Sequence, residues 1–158
     1  MNILFIGKED VDLFETLKYS ETSRTILRFY EPRRCSCGVC LTTSTLGIAL
    51  SLVSELRWYV RRYMAEVLFE LHEGIYGTHT LAREVYERDL PLHAEGVLRS
   101  LYGIQNGKIT RIIHLGPEVS RGPPADLVTM DRVLEVWSPA HELPDDETDS
   151  IDDTGENH

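Results

Sequence analysis

Apolar positions change their spacing several times along the first part of the chain, and each change predicts a different element. Residues 2–7, NILFIG, form a short apolar run that ends in glycine, which is typical of a buried strand. Asp10 is a candidate N-cap, and the apolar positions of VDLFETLKYS then recur at helical spacing. TILRFY, residues 25–30, is rich in β-branched and aromatic residues and predicts a second strand, which ends at Pro32 because proline cannot donate to a ladder.

A second helix is predicted after residue 43. Either Thr43 or Ser44 can cap it, and apolar residues from Leu46 to Val60 then recur at helical spacing. Residues 64–71, MAEVLFEL, fit either an extension of this helix or a strand with alternating faces. We take them as a strand.

The remainder of the chain carries the clearest local signal. VLRSLYGI and KITRIIHLG are two strand-like runs joined at Gln105-Asn106-Gly107, and Asn-Gly is the strongest short-range mark of a tight hairpin. A helix is predicted before the hairpin at residues 80–89, ended by Pro91. Another is predicted after it at residues 125–137, whose apolar side chains fall on one side.

The predicted order of elements is therefore β-α-β-α-β-α-β-β-α, an α/β fold. The βαβ start implies parallel neighbouring strands with right-handed crossovers. The hairpin adds antiparallel strands, so we expect a mixed central sheet with helices on both faces.

Charge separates the chain into a body and a tail. The net charge is −10, and residues 139–158 hold eight of the 26 acids and no Lys or Arg. The body is then nearly neutral, with 18 acids against 16 Lys and Arg. We predict one domain, residues 1–138, and an acidic, disordered tail, residues 139–158, that either keeps the protein in solution or docks on a basic partner. Without a basic excess, nucleic acid is not expected as a partner.

Targeting and membrane signals are not evident. The N-terminal residues MNILFIGKED have no basic region and too short an apolar run for a secretory signal. The longest apolar stretch, residues 40–53, is shorter than the roughly 20 residues that span a bilayer. We therefore predict a cytoplasmic protein without a membrane partner, in which cysteines stay reduced unless they are catalytic, redox-sensing or metal-bound.

All three cysteines lie in one stretch, RRCSCGVC, at Cys35, Cys37 and Cys40. A Cys-x-x-Cys after a βαβ unit and before a helix resembles the thioredoxin family. FYEPRRCSCGVC is similar to the family's strand end and Cys-Gly-x-Cys motif, and YGIQNGKITRIIHLG is similar to its hairpin. The resemblance covers most of residues 2–137 and implies a thioredoxin-like fold and thiol–disulfide oxidoreductase activity without a cofactor.

Three positions depart from the family pattern. Ser36 stands where thioredoxins have tryptophan before the motif, and Arg28 stands where they bury an aspartate. The proline that opens the first hairpin strand in the family has no counterpart near Arg99 or Ser100. We therefore expect a divergent site that acts on a particular protein partner rather than generally.

The resemblance assigns Cys37 as the attacking thiolate and Cys40 as the resolving cysteine. A helix N-terminus and the neighbouring Arg33 and Arg34 would stabilise a thiolate there. Three alternatives stay open: a Cys₃ metal site completed by a histidine such as His72 or His79, S-acylation beside the arginine pair, and idle thiols in a non-catalytic interaction or assembly-chaperone module.

Overall fold

The computed structural model describes residues 1–88, 97–115, 127 and 129–140. These residues form five helices and eight strands. In chain order the elements are β1 (Asn2–Gly7), α1 (Leu13–Tyr19), α2 (Glu21–Leu27), β2 (Arg33–Cys35), β3 (Gly38–Thr42), α3 (Leu46–Glu55), α4 (Arg57–Tyr63), β4 (Met64–His72), β5 (Ile75–Gly77), α5 (His79–Arg88), β6 (Val97–Gln105), β7 (Lys108–Leu115) and β8 (Arg132–Pro139).

The eight strands form one mixed sheet in the order β2-β3-β1-β4-β5-β8-β6-β7. The pairing of β5 with β8 is parallel, and every other pair of described neighbours is antiparallel. Strands β1 and β4 run through the middle and bury alternate side chains on both faces. Ile3 and Phe5 point into one apolar cluster and Leu4 and Ile6 into another.

Each face of the sheet has its own core. The first cluster lies under the helices, and all five of them contribute a buried residue to it, such as Leu17 of α1 and Ala82 of α5. The second cluster holds buried residues from strands and from the β2–β3 turn, and none of its described members is helical. Because β1 and β4 share this second cluster with β6 and β8, the sheet bends so that this face packs on itself.

The bend brings the tips of two hairpins together. A Cβ placed on Gly107, in the β6–β7 turn, would lie 3.7 Å from the Cα of Gly38, at the start of β3. The Lys108 ammonium donates a hydrogen bond to the carbonyl oxygen of Val11, which ties the base of β7 to the entrance of α1. The two ends of the strand order thus meet near the end of β1.

Several predicted elements are confirmed. The first strand lies at Asn2–Gly7, and residues 64–71 fall within strand β4, Met64–His72. The helix predicted at residues 80–89 is α5, and Asn106 and Gly107 form the turn between β6 and β7. The broad class, a mixed sheet with several helices, is also confirmed.

Two segments have the opposite secondary structure from the one predicted. Residues 25–30 were predicted as a strand, but α2 runs to Leu27, which is buried in the first cluster with Ile26 packed against it. The helix predicted at residues 125–137 is wrong where the chain is described, because β8 begins at Arg132. Leu134 and Val136 alternate into the second cluster, so packing against β6 overrides the helical propensity.

The predicted order of elements and the parallel start are also wrong. Both neighbours of β1, β3 and β4, are antiparallel to it, so no βαβ unit opens the chain. The five described helices pack on one face rather than two. The cysteines lie in a hairpin, not at a helix N-terminus, because α3 begins only at Leu46, with Thr45 as its N-cap.

The predicted acidic tail lies outside the described residues beyond Ala140. The tail therefore stays a prediction from charge and composition. Within the described residues, no helix combines the length and apolar character needed to cross a bilayer.

Candidate functional site

The three cysteines belong to one small hairpin at the edge of the sheet. Cys35 pairs with Gly38 in the β2–β3 ladder, and Ser36 and Cys37 form the two-residue turn between them. Gly38 has a φ of +127°, and a Cβ there would collide with the carbonyl oxygen of Phe5. Glycine is therefore required at this position, both for the backbone angle and for the close approach to β1.

A disulfide joins Cys35 to Cys40 across this hairpin. Their Cα atoms are 6.3 Å apart, within the usual range for a disulfide. Since Arg33 is the direct cross-strand partner of Cys40, the bond runs diagonally to the next position on the same face. Both cysteines are partly buried and pack against the second cluster.

Cys37 carries the free thiol, and its side chain is buried beneath the turn. It is only 1% exposed and belongs to the second cluster together with Ile104 and Val136. The Arg132 guanidinium, at the start of β8, donates to its Sγ over 3.6 Å. Cys37 is thus covered by the part of the sheet that the bend brings over it.

Tyr76 belongs to the same buried cluster as Cys37. Burial raises the pKa of its phenol, and the charge of Glu70 adds to the rise. The nearby Arg132 guanidinium partly opposes the rise in that pKa through its charge and a hydrogen bond. The phenol therefore stays protonated at neutral pH, so the strand β5 presents a neutral group to the thiol.

An open cleft of about 470 Å³ lies beside the hairpin, between the end of β1 and the β6–β7 turn. Cys35 and Ser36 line it, whereas Cys37 and Cys40 do not. Its walls carry both signs of charge, from residues such as Asp131 and Lys108. Cys35 is therefore the cysteine that borders a space large enough for a segment of another molecule.

The two arginines before the disulfide have different partners. Arg34 is paired with Asp12 at 3.2 Å and with Glu15 at 3.1 Å. Arg33 is exposed and makes no ion pair among the described residues. Because directly opposed side chains share a face, the Arg33 charge is available to Cys40.

The fold therefore gives the two predicted site residues, Cys37 and Cys40, different states. Cys40 is bonded to Cys35 rather than to Cys37, and the roles predicted for Cys37 and Cys40 stay predictions. Within the described ranges, no group of three or more His, Cys, Asp or Glu side chains is placed to hold a metal ion. His79, a candidate ligand from the sequence, stacks on Phe69 at the start of α5 instead.

Sequence reasoning missed the partnership of Cys35 and did not include Arg132. A usable signal for the first was present, because Ser36-Cys37-Gly38 is a plausible hairpin turn and would place Cys35 and Cys40 on one face. No local signal connects Arg132 to Cys37, since 95 residues separate them.

Comparison with known proteins gives a family and no described function. No curated protein matches the chain, and no solved structure matches it. A family model described as "Family of unknown function (DUF5804)" matches residues 1–104, which include all three cysteines. The match spans well over half of the chain, which therefore belongs to the DUF5804 family.

Proposed function

We propose that the protein is a thiol–disulfide oxidoreductase that exchanges the Cys35–Cys40 disulfide with a dithiol on a specific protein partner. The observation that carries the proposal is the placement of this disulfide, with Cys35 on the wall of an open cleft. From the thioredoxin resemblance the proposal keeps the two-cysteine exchange, and it does not require the βαβ order. The cytoplasmic location remains a prediction.

The surroundings give the two bonded cysteines different roles. A partner thiolate reaches Cys35 from the cleft and attacks its Sγ. The Cys35–Cys40 bond breaks and Cys40 leaves as a thiolate, which the Arg33 guanidinium opposite it stabilises before a proton is taken up. Attack on Cys35 is therefore favoured over attack on Cys40.

The second step completes the exchange. The partner's other thiolate attacks the partner sulfur of the mixed disulfide, and Cys35 leaves as a thiolate and is protonated. Two electrons pass from the partner to the protein, and the two protons lost by the partner's thiols end on Cys35 and Cys40. The reverse sequence reduces a disulfide-bearing partner.

Trapping of mixed disulfides tests these roles. Reduced full-length Cys40→Ser and Cys35→Ser proteins are each incubated with a peptide that carries one disulfide, and the adducts are mapped by mass spectrometry. We expect Cys40→Ser to accumulate an adduct at Cys35, because no second cysteine resolves it. Cys35→Ser should accumulate little, and Cys37→Ser should turn over like the wild type.

Other outcomes would contradict the assignment. An adduct at Cys37 in the Cys40→Ser protein would restore the roles predicted from the sequence, with Cys37 as the attacking thiolate. Absence of any adduct in both variants, together with no exchange by the wild type, would favour the non-catalytic interaction module instead.

A further inference from the structure

The helical layer contains a basic groove far from the cysteine hairpin. The groove lies between α3, α4 and α5 and has a volume of about 650 Å³. Three arginines line it, Arg57 and Arg61 from α4 and Arg83 from α5. Glu87 is the single acid among the described lining residues, and it lies 3.8 Å from Arg83.

The charge of this groove is largely unmatched. Arg57 and Arg61 are exposed and make no ion pair with any described residue. The Arg83–Glu87 pair is exposed on both sides and therefore contributes little. Burial and the Arg83 charge lower the pKa of His79, so the positive charge at neutral pH comes from the guanidinium groups.

The end of the described chain lies next to this groove. Strand β8 runs parallel to β5, so the two strands end at the same edge of the sheet. Gly77 pairs with Trp137, and the Thr78 amide donates to the Trp137 carbonyl oxygen at 3.1 Å. The next residue after Thr78 is His79, which lines the groove.

The segment that leaves this edge has the complementary charge. Residues 141–158 carry eight acids and no Lys or Arg, in a chain whose remaining acids and bases nearly balance. Ala140 is three residues beyond Trp137 and so lies within about 11 Å of it, at 3.8 Å per residue. Helix α5 is about 15 Å long at 1.5 Å per residue, so 18 residues are ample to follow the groove.

We propose that the acidic C-terminal segment, residues 141–158, docks in the groove of its own chain through Arg57, Arg61 and Arg83. Single exposed ion pairs contribute only about 0.2–1 kcal/mol each. Several act together here, and attachment at Ala140 makes the association intramolecular, with an effective concentration of roughly millimolar.

Backbone NMR of full-length protein tests the docking. The groove variant is Arg57→Glu with Arg61→Glu, and the matched control is Lys18→Glu with Arg24→Glu, which makes the same charge change on α1 and α2. A third protein replaces Asp145, Asp146, Glu147 and Asp149 by Asn or Gln. At about 0.1 M salt we expect wild-type and control order parameters above about 0.6 in the segment.

The order parameters of the segment should fall below about 0.6 in the groove variant and in the third protein. They should also fall below this value in the wild type at about 1 M salt. The third protein should also shift the amide resonances of Arg57, Arg61 and Arg83. Segment order parameters that are equal in the wild type, the groove variant and the control would overturn the proposal. Order that disappears on dilution would overturn it too, because the occupant would then be the segment of a second copy.

Discussion

At the scale of single residues, the three cysteines differ in their surroundings more than in their chemistry. Cys35 lines the cleft and Cys40 lies opposite Arg33, while Cys37 is covered by the second cluster. Gly38 makes this arrangement possible, because it lets the hairpin approach the backbone of Phe5.

Replacement of Gly38 by alanine should destabilise the protein strongly. The left-handed backbone angle alone costs about 1–2 kcal/mol for a residue with a Cβ, and the contact with the Phe5 carbonyl oxygen adds to it. We expect the free energy of unfolding of oxidised protein to fall by about 3 kcal/mol or more. Urea denaturation measures it.

Gly74→Ala is the matched control for this prediction. Gly74 also has a positive φ, of +79°, but a Cβ there would meet nothing within 4 Å. The free energy of unfolding should therefore fall by only about 1–2 kcal/mol in Gly74→Ala, from the backbone angle alone. Equal losses in the two variants would mean that the close approach to β1 contributes nothing.

At the scale of elements, the start of α3 determines how far the helix lies from the cysteines. The Thr45 side chain accepts a hydrogen bond from the Ile48 amide at 3.1 Å. Thr45→Ala should therefore lower the free energy of unfolding by about 1 kcal/mol. Thermal or urea unfolding of the two proteins checks this.

Ser44→Ala serves as the control for the cap. Ser44 was one of the two caps predicted from the sequence, and it is exposed. Its replacement should change stability by no more than about 0.5 kcal/mol. A larger loss for Ser44→Ala than for Thr45→Ala would contradict the assignment of the cap.

Elements with a self-contained signal could be predicted from the sequence. The apolar run of β1 and the Asn106-Gly107 turn are examples, because their composition specifies them locally. The structure of residues 25–30 and of β8 could not be predicted in this way. Leu27 is helical and Leu134 is in a strand because of the surfaces on which they pack.

The same limit applies to the candidate site. Sequence reasoning identified Cys37 and Cys40 as a pair from the Cys-x-x-Cys spacing, which assumes a helix at this point. In a hairpin, pairing depends on which residues share a face, and that depends on the turn at Ser36 and Cys37. The cleft next to Cys35 needs the distant β6–β7 turn and could not be seen locally.

At the scale of the whole molecule, the bend of the sheet controls access to Cys37. The thiol is covered by residues from β6 and β8, so a reagent reaches it only when this part of the sheet opens. Alkylation of Cys37 in oxidised protein therefore measures that opening, because Cys35 and Cys40 are bonded to each other.

Ile104→Ala should make Cys37 react faster with iodoacetamide under native conditions. Ile104 is fully buried in the second cluster, and its truncation should cost about 2–5 kcal/mol. The alkylation rate should then rise by about 30-fold or more, at tenfold per 1.4 kcal/mol. Mass spectrometry of timed samples measures the rate.

Ile112→Ala provides the comparison, because Ile112 is 45% exposed on β7. The alkylation rate of Cys37 in this variant should stay close to that in the wild type. A wild-type rate as fast as that of urea-unfolded protein would show that the second cluster does not protect the thiol.

The cover over Cys37 also sets an order of events during synthesis. Arg132 follows Cys37 by 95 residues, which a ribosome adds in about 5–20 s at 5–20 residues per second. Until the end of that interval no β8 exists to shield any of the three cysteines. Cys40 is thus exposed to cellular thiols and oxidants before β8 is made. Once the chain is complete, Cys37 is buried and no longer accessible to them.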